Sequence, residues 1–368
     1  MIGYVYSPST RALKAVLDTV SDYYLEDLFD DAGEIEFYVS LQYASDIQED
    51  DIVWFGGRKA SIVEGIALSK NSEGKKMLKV TGRTAESYLE RRTIYPSIQK
   101  TGNVSTVMRF LLDNNVVNPT DSSRQIPFIT LDAQQQTLGD SISYQQTGGN
   151  LLSEIVSLCQ AHSLGFLLEF NPENVSFVFK VYQGTNHSVN QSSNPTVYIS
   201  SRLDDILDSS YQSNTSNYRN FAYVGGEGEG SERTYATVDP DSVTGYSRRE
   251  LFVDARDLQS EVDGTTVDAN TYTAMLQDRG LKKLESNKIV QEYSADIVQH
   301  PSAYTFGVDY NLGDTVTVYD ADLQVTVDAV VSALITTKAQ GKNSTSILFG
   351  YGPPTIHKKL KEVMYIGS

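Results

Sequence analysis

Hydrophobic positions recur mostly with period two, in short runs broken by glycine and polar clusters. In residues 33–41, Ile35, Phe37 and Val39 point one way and Glu34, Glu36 and Tyr38 the other, which predicts a half-buried strand. Tyr4–Ser7 and the run around Leu13–Leu17 read as strands joined through a turn at Ser7–Ser9. Residues 50–68 give two strands about the Gly56–Gly57 turn, and residues 70–83 a hairpin turn with another strand. Residues 1–82 therefore predict a small antiparallel barrel or sandwich. TGRTAESYLERR (81–92) ends it with a short helix that Thr84 can cap and whose apolar side is Tyr88 and Leu89.

From residue 99 the period lengthens. Val104, Val107, Met108 and Leu111 share one helical face, and Leu152, Ile155, Val156 and Cys159 another. Asn150 suits the N-cap of the second helix and Gly165 its C-terminal stop. A strand pair turning at Asn171–Asn174 completes an α+β unit, and the polar run 186–195 reads as a linker. Strand patterns follow at 195–200, 217–226, 232–239 and 248–256. A helix over Asp268–Ser286 has Tyr272, Met275, Leu276 and Leu284 as its apolar positions. Strands are predicted again at 288–300, 314–320, 324–337 and 344–352, with a short helix or an extended arm beyond.

Residues 49–92 and 312–361 share a plan. Each opens a strand with Asp-x-Val (Asp51 to Val53; Asp314 to Val316), then has a turn, a long strand and a Gly/Lys/Asn/Ser hairpin. Each closes on a strand ending in glycine, Gly82 or Gly350, before a short basic segment. We read this as a duplicated β module; chance similarity between antiparallel patterns is the alternative. Two modules per chain would let three chains form a ring of six.

Composition narrows the function. At 368 residues, two or three domains are expected. The net charge of −17 argues against nucleic acid as a bound partner, since phosphate binding needs a positive field. The single cysteine, Cys159, excludes an intrachain disulfide and a cysteine-based zinc site. No apolar run approaches the roughly 20 residues of a membrane-spanning helix, and the first residues lack a signal-peptide pattern, so a soluble cytoplasmic product is expected.

The stretch that most resembles chemistry is YVGGEGEGSERTY (223–235). A phosphate loop would need a lysine and a following helix; here Glu227, Glu229 and Glu232 would repel phosphate. Carboxylates suit calcium, but the spacing fits no known calcium loop. We read it as a mobile, solvated hairpin loop. Cys159 and His162 form Cys-x-x-His on an apolar helix stripe, which favours a packed thiol over a nucleophile. His187, His300 and His357 show no clustered spacing, and acidic pairs are too numerous to single out a hydrolase site. No catalytic, cofactor-binding or metal-binding residue is assigned. Arg83, Arg91 and Arg92, then Arg248 and Arg249, then Lys358 and Lys359 with Lys361, form basic clusters in an acidic chain. They read equally as docking sites for acidic neighbours, copies of this chain included, and as ordinary helix-end and strand-edge surface.

GEIEFYVSL, ASIVEGIAL and LKVTGRTAESYLERRTIYP, together with NFAYVGGEGEGSERTYATVD, GYSRRELFVDARDL and YNLGDTVTVYDADLQVTVDAVVSAL, resemble the siphophage tail-tip hub proteins. These are the N-terminal structural part of the tail-associated lysins (Tal), and the resemblance spans roughly residues 1–355. It implies a mainly β fold with α+β insertions, similar to contractile-tail baseplate hubs: two similar antiparallel β-barrel domains in a pseudo-sixfold arrangement plus a mixed α+β domain. The implied organisation is a first barrel over 1–98 and an α+β domain over 99–190. A second barrel is split between 191–225 and 290–352, a strand/helix insertion takes 226–289, and an arm takes 353–368. The resemblance further implies a homotrimer closing the distal tail tube and opening for DNA release. The implied partners are a hexameric distal tail ring, the tape-measure protein and a fibre or spike. It would sit at the virion tail tip after assembly in the host bacterial cytoplasm, without cofactors. The chain stops at Ser368, soon after the second barrel, and shows no wall-degrading constellation, so only the hub role is carried over. A carboxylate-based cell-wall hydrolase and a host-saccharide-binding module are the alternative readings.

Overall fold

The computed structural model describes residues 2–18, 20–200, 206–262, 265–297, 304–321, 324–339 and 342–351. The first stretch of chain holds β1 (Gly3–Tyr6), β2 (Leu13–Leu17), β3 (Tyr23–Leu28), β4 (Glu34–Val39), β5 (Ile52–Trp54), β6 (Ser61–Lys70) and β7 (Lys76–Thr84). Next come β8 (Ile98–Asn103), α1 (Val104–Leu112), β9 (Ile129–Leu131), β10 (Ser141–Gln146), α2 (Leu151–His162), β11 (Gly165–Asn171), β12 (Ser176–Tyr182) and β13 (Tyr198–Ser200). Then follow β14 (Ile206–Asn214), β15 (Phe221–Gly225), β16 (Tyr235–Val238), β17 (Glu250–Asp254), β18 (Glu261–Val262), β19 (Thr265–Thr266) and α3 (Ala269–Glu285). The chain returns to strands with β20 (Val290–Ile297), β21 (Thr315–Asp320), β22 (Val325–Ala339) and β23 (Lys342–Tyr351). It divides into two compact units, Met1–Ser87 with Gly165–Gln212 and Gln291–Ser368, and Tyr88–Leu164 with Ser213–Val290.

A thirteen-stranded sheet organises the first unit. Its order is β14-β20-β23-β22-β3-β4-β7-β6-β5-β1-β2, with β21 also on β22 and β13 parallel to β21. The fold is therefore mainly β, but no closed barrel forms among the described strands. The reason lies in β22, which is fifteen residues long. Residues Val325–Val330 pair with β21, while Ala333–Lys338 hydrogen-bond β23 on one side and β3 on the other. An edge that a barrel would have closed on itself instead carries the ladder into the first seven strands. Those strands still roll around a core of their own. Val5 and Leu17 from one end cluster with Tyr23, Ile35 and Phe37 from the other, and Phe55 packs edge-on against Tyr23 and Phe37.

The predicted repeat is present in geometry. Asp50 N donates to Val63 O at 2.8 Å and Val63 N to Asp51 O at 2.9 Å; Gly313 N donates to Val331 O and Val331 N to Asp314 O, both at 2.8 Å. Asp51 Oδ2 accepts from Gln48 N, and Asp314 Oδ2 from Asn311 N, each three residues upstream. Asp50 and Gly313 both have positive φ, 71° and 87°. The register then slips after Val63 and again after Val331. Strand order agrees as well: β5-β6-β7-β4-β3 matches β21-β22-β23-β20-β14. Register sets Gly82 against Val63 and Phe349 against Val331, so the counterpart of Gly82 is Phe349, one residue before the Gly350 that the sequence suggests.

Several local expectations change. Ile35, Phe37 and Val39 of β4 are buried as the alternation requires, but Glu36 and Tyr38 are buried too. Lys79 Nζ lies 2.9 Å from Glu36 Oε1, and the Tyr38 hydroxyl donates to the same carboxylate, which makes that second covered face tolerable. Thr84 does not serve as a helix cap: its hydroxyl accepts from Gly33 N at 3.0 Å at the end of β7, ahead of a 3-10 helix over Ala85–Arg91. The polar run 186–195 is no free linker. His187 N donates to Thr315 O, Val189 N to Thr317 Oγ1 and Asn190 Nδ2 to Asp328, so it lies along β21 and β22.

In the second unit, β8 and β10 pair antiparallel, and α3 packs on β10, β15, β16 and α2. Asn150 caps α2 by accepting from Ser153 N at 3.2 Å. The left-handed residue after α2 is Ser163 (φ 52°), not Gly165. Gly165 opens β11 in the first unit, where an added Cβ would lie 2.3 Å from the Phe29 ring. Asp268 caps α3 through the amides of Asn270 and Thr271, and Tyr272, Met275, Leu276 and Leu284 are buried along it.

Candidate functional site

The three-stranded sheet β16-β15-β17 lies wholly in the second unit and has two unlike faces. Period-two alternation sends Ala222, Val224, Ala236 and Val253 into a core with Tyr272, Met275 and Leu276 of α3. The opposite parity places Tyr223, Tyr235 and Phe252 outward, with Tyr223 directly across from Phe252, and puts Phe221 on the same face but buried beneath Arg248. Tyr235 is 56 % exposed and Phe252 55 %.

Two arginines are threaded between these rings. The Arg248 guanidinium lies 3.4 Å from the Phe221 ring centroid, donates to the Tyr223 hydroxyl at 2.9 Å and pairs with Glu250 at 2.8 Å. Arg233 sits 5.8 Å from the Tyr235 ring and 5.5 Å from Phe252. Its Nη2 donates to Gly225 O and to Asp254 Oδ1, and its Nε to Gly226 O. Asp254 also receives Arg256; these hydrogen bonds, Arg256 first and then Arg233, hold its carboxyl at a pKa of about 2. The face thus combines exposed aromatic surface with oriented, internally paired charge. That mixture is enriched where proteins dock.

The glycine-rich stretch builds one end of this sheet. It is a hairpin connection, as expected, but it is not loose. Gly226 N donates to Thr234 O and Glu227 N to the Tyr272 hydroxyl, while Glu227 Oε2 accepts from Ser260 N. A Cβ on Gly226 would come within 2.5 Å of the Tyr272 hydroxyl. Gly228, at φ 94°, passes so close to Glu232 O that a side chain would meet it at 2.6 Å. The glycines are there for close approach around Arg233.

The described basic residues singled out from sequence each have partners of their own. Arg248 belongs to the aromatic face. Arg249, beside it, donates to Thr215 O and lies 5.5 Å from the Tyr218 ring. Arg91 stacks 4.9 Å from Tyr88, and Arg92 donates to the carbonyls of Arg124 and Arg91. Burial, then the nearby Arg124 and Arg91, pull the Arg92 pKa below its ordinary value. Arg83, in the other unit, makes a three-bond fork with Glu64. Lys358 and Lys359 lie outside the described residues, as do His300 and His357. Arg233, Tyr235, Phe252 and Asp254 were missed. The available signal was the shared parity of aromatic residues in three neighbouring strand runs.

Cys159 is fully buried in α2, and His162 faces Asp278 with 3.5 Å between Nε2 and Oδ1. Among the described residues, no group of three or more His, Cys, Asp or Glu is arranged to hold a metal ion. None of the described helices is long and apolar enough to cross a membrane.

The fold is shared with phage tail proteins of known structure. The prophage tail protein gp18 from Listeria monocytogenes EGD-e superposes with a TM-score of 0.58 at 14 % identity, over 99 % of both chains. The tail protein from Neisseria meningitidis MC58 gives 0.56 at 14 % identity, over 95 % of this chain and 96 % of that one. The 43 kDa tail protein of prophage MuSo2 from Shewanella oneidensis gives 0.53 at 10 % identity, over 95 % and 98 %. No curated protein matches the sequence. The family itself is defined by sequence: residues 4–351 match the model of the Siphovirus ReqiPepy6 Gp37-like proteins, and the chain belongs to that family.

Proposed function

We propose that the chain is a structural protein of the phage tail, of baseplate-hub type, and so a component of the virion. In this reading three copies close the distal end of the tail tube on a sixfold ring and open for DNA release. The tape-measure protein lies above them and a fibre or spike below. The observation that carries it is the paired module: the same strand order, bulge and Asp-centred hydrogen bonds occur twice in one chain. Six equivalent modules on three chains would resolve the mismatch between a threefold plug and a sixfold tube. Family membership and the shared tail-protein fold support the same reading.

The aromatic–arginine face favours a docking role over saccharide binding. A sugar platform needs open ring faces; here the Arg248 guanidinium already lies over Phe221, and Arg233 stands beside Tyr235 and Phe252. The test is mass photometry of the purified chain with and without the phage's distal tail ring. The expected particle has three times the 40.7 kDa chain mass, alone or on the ring. A chain that stays monomeric in both conditions overturns the hub reading. Release of sugars from purified cell wall would replace it with an enzymatic one.

A further inference from the structure

The two modules differ in how the edge of their long strand is covered. In the second, Ala333–Lys338 of β22 is hydrogen-bonded on both sides, to β23 and to β3 of the first module. The equivalent segment of the first module is Gly65–Lys70 of β6, found by aligning Val63 with Val331 and the bulge that follows each. It pairs with β7 on one side, and β5 reaches only Ser61 and Ile62 on the other. Among the described residues, no strand covers the outer edge of Gly65–Lys70. Burial follows the partner. Ala333 and Ile335 are fully buried, whereas their counterparts are half-buried Gly65 and exposed Ala67; Leu68 beside them is 57 % exposed.

The missing neighbour can be named from the same repeat. The partner of β22 is β3, and the module correspondence maps β3 onto β14. Among the described residues, β14 is the terminal strand of the thirteen-stranded sheet, paired along that path with β20 alone. We infer that Gly65–Lys70 of β6 pairs with β14 of a second copy of this chain, repeating between copies the β22–β3 junction that each copy makes within itself. The contact is head-to-tail: each copy offers one β6 edge and one β14 edge, so successive copies are added until a ring closes. Backbone pairing of this kind uses unsatisfied ladder groups and needs little side-chain specificity. The inference rests on the hub reading, in which copies of this chain meet, and adds where they meet.

Hydrogen exchange on the assembled chain tests it, alongside the variant Ala67→Lys/Leu68→Lys, whose charges sit on exposed positions and discourage strand addition. In the assembly, amides on the outer edge of Gly65–Lys70 should exchange at least about tenfold more slowly than in diluted monomer. The variant should keep the wild-type melting temperature and lose at least about tenfold in self-association. An assembled wild type with unprotected Gly65–Lys70, or a variant that assembles like wild type, overturns the inference and leaves the hub reading standing. A wild-type chain that never self-associates, alone or on the tail ring, removes both.

Discussion

Lys59 shows how a single residue can hold several elements. Its ammonium is within reach of Asp27 of β3 and of Glu86 in the 3-10 helix, and it donates to Leu28 O. Glu86, fully buried, in turn accepts from Leu168 N of β11 at 3.0 Å. Burial works against the Lys59 charge, but Asp27 and Glu86 outweigh it and raise its pKa above the ordinary lysine value. Removing one partner of such a group leaves the others charged and desolvated. Lys59→Met is therefore expected to cost about 3–5 kcal/mol in chemical denaturation. An unchanged midpoint would show that water reaches the cluster. Sequence marks none of this. Lys59 stands in a glycine-rich turn and Glu86 in a short amphipathic run, and only the fold brings them together.

Elements were the most legible level. The cap at Asn150, the apolar faces of α1, α2 and α3, and nearly every strand run follow from interactions over a few residues. Three of the misreadings share one cause. Glu36, the run 186–195 and the 226–230 loop look solvated by composition, yet each is tied by an ion pair or a hydrogen bond to residues remote in sequence. Replacing Gly226–Gly230 by a two-residue turn should lower stability by about 1–3 kcal/mol, because the Tyr272 hydroxyl and Ser260 N lose partners. Thermal denaturation measures it. A variant as stable as wild type would restore the loop to a mere connection.

On the scale of the whole molecule, charge and the duplicated module pull against each other. Each copy carries −17, so bringing copies together is opposed by long-range repulsion. Strand pairing between backbones is short-ranged and is not screened by salt. Self-association should therefore strengthen as ionic strength rises from about 20 to 200 mM, where the screening length falls below roughly 10 Å. Sedimentation across that range checks it, and weakening with salt would point to an interface made of ion pairs. By itself the sequence determined the element types, the Asn150 cap, the excess of acid and the existence of a repeat, since periodicity and capping act between near neighbours along the chain. Only the tertiary structure decided that β22 continues into β3 and not back on its own module, that β6 keeps an open edge, and that Arg248 lies over Phe221 with Arg233 beside Tyr235 and Phe252. Those outcomes depend on which distant strands compete for one row of backbone donors and acceptors, and no local pattern encodes the winner.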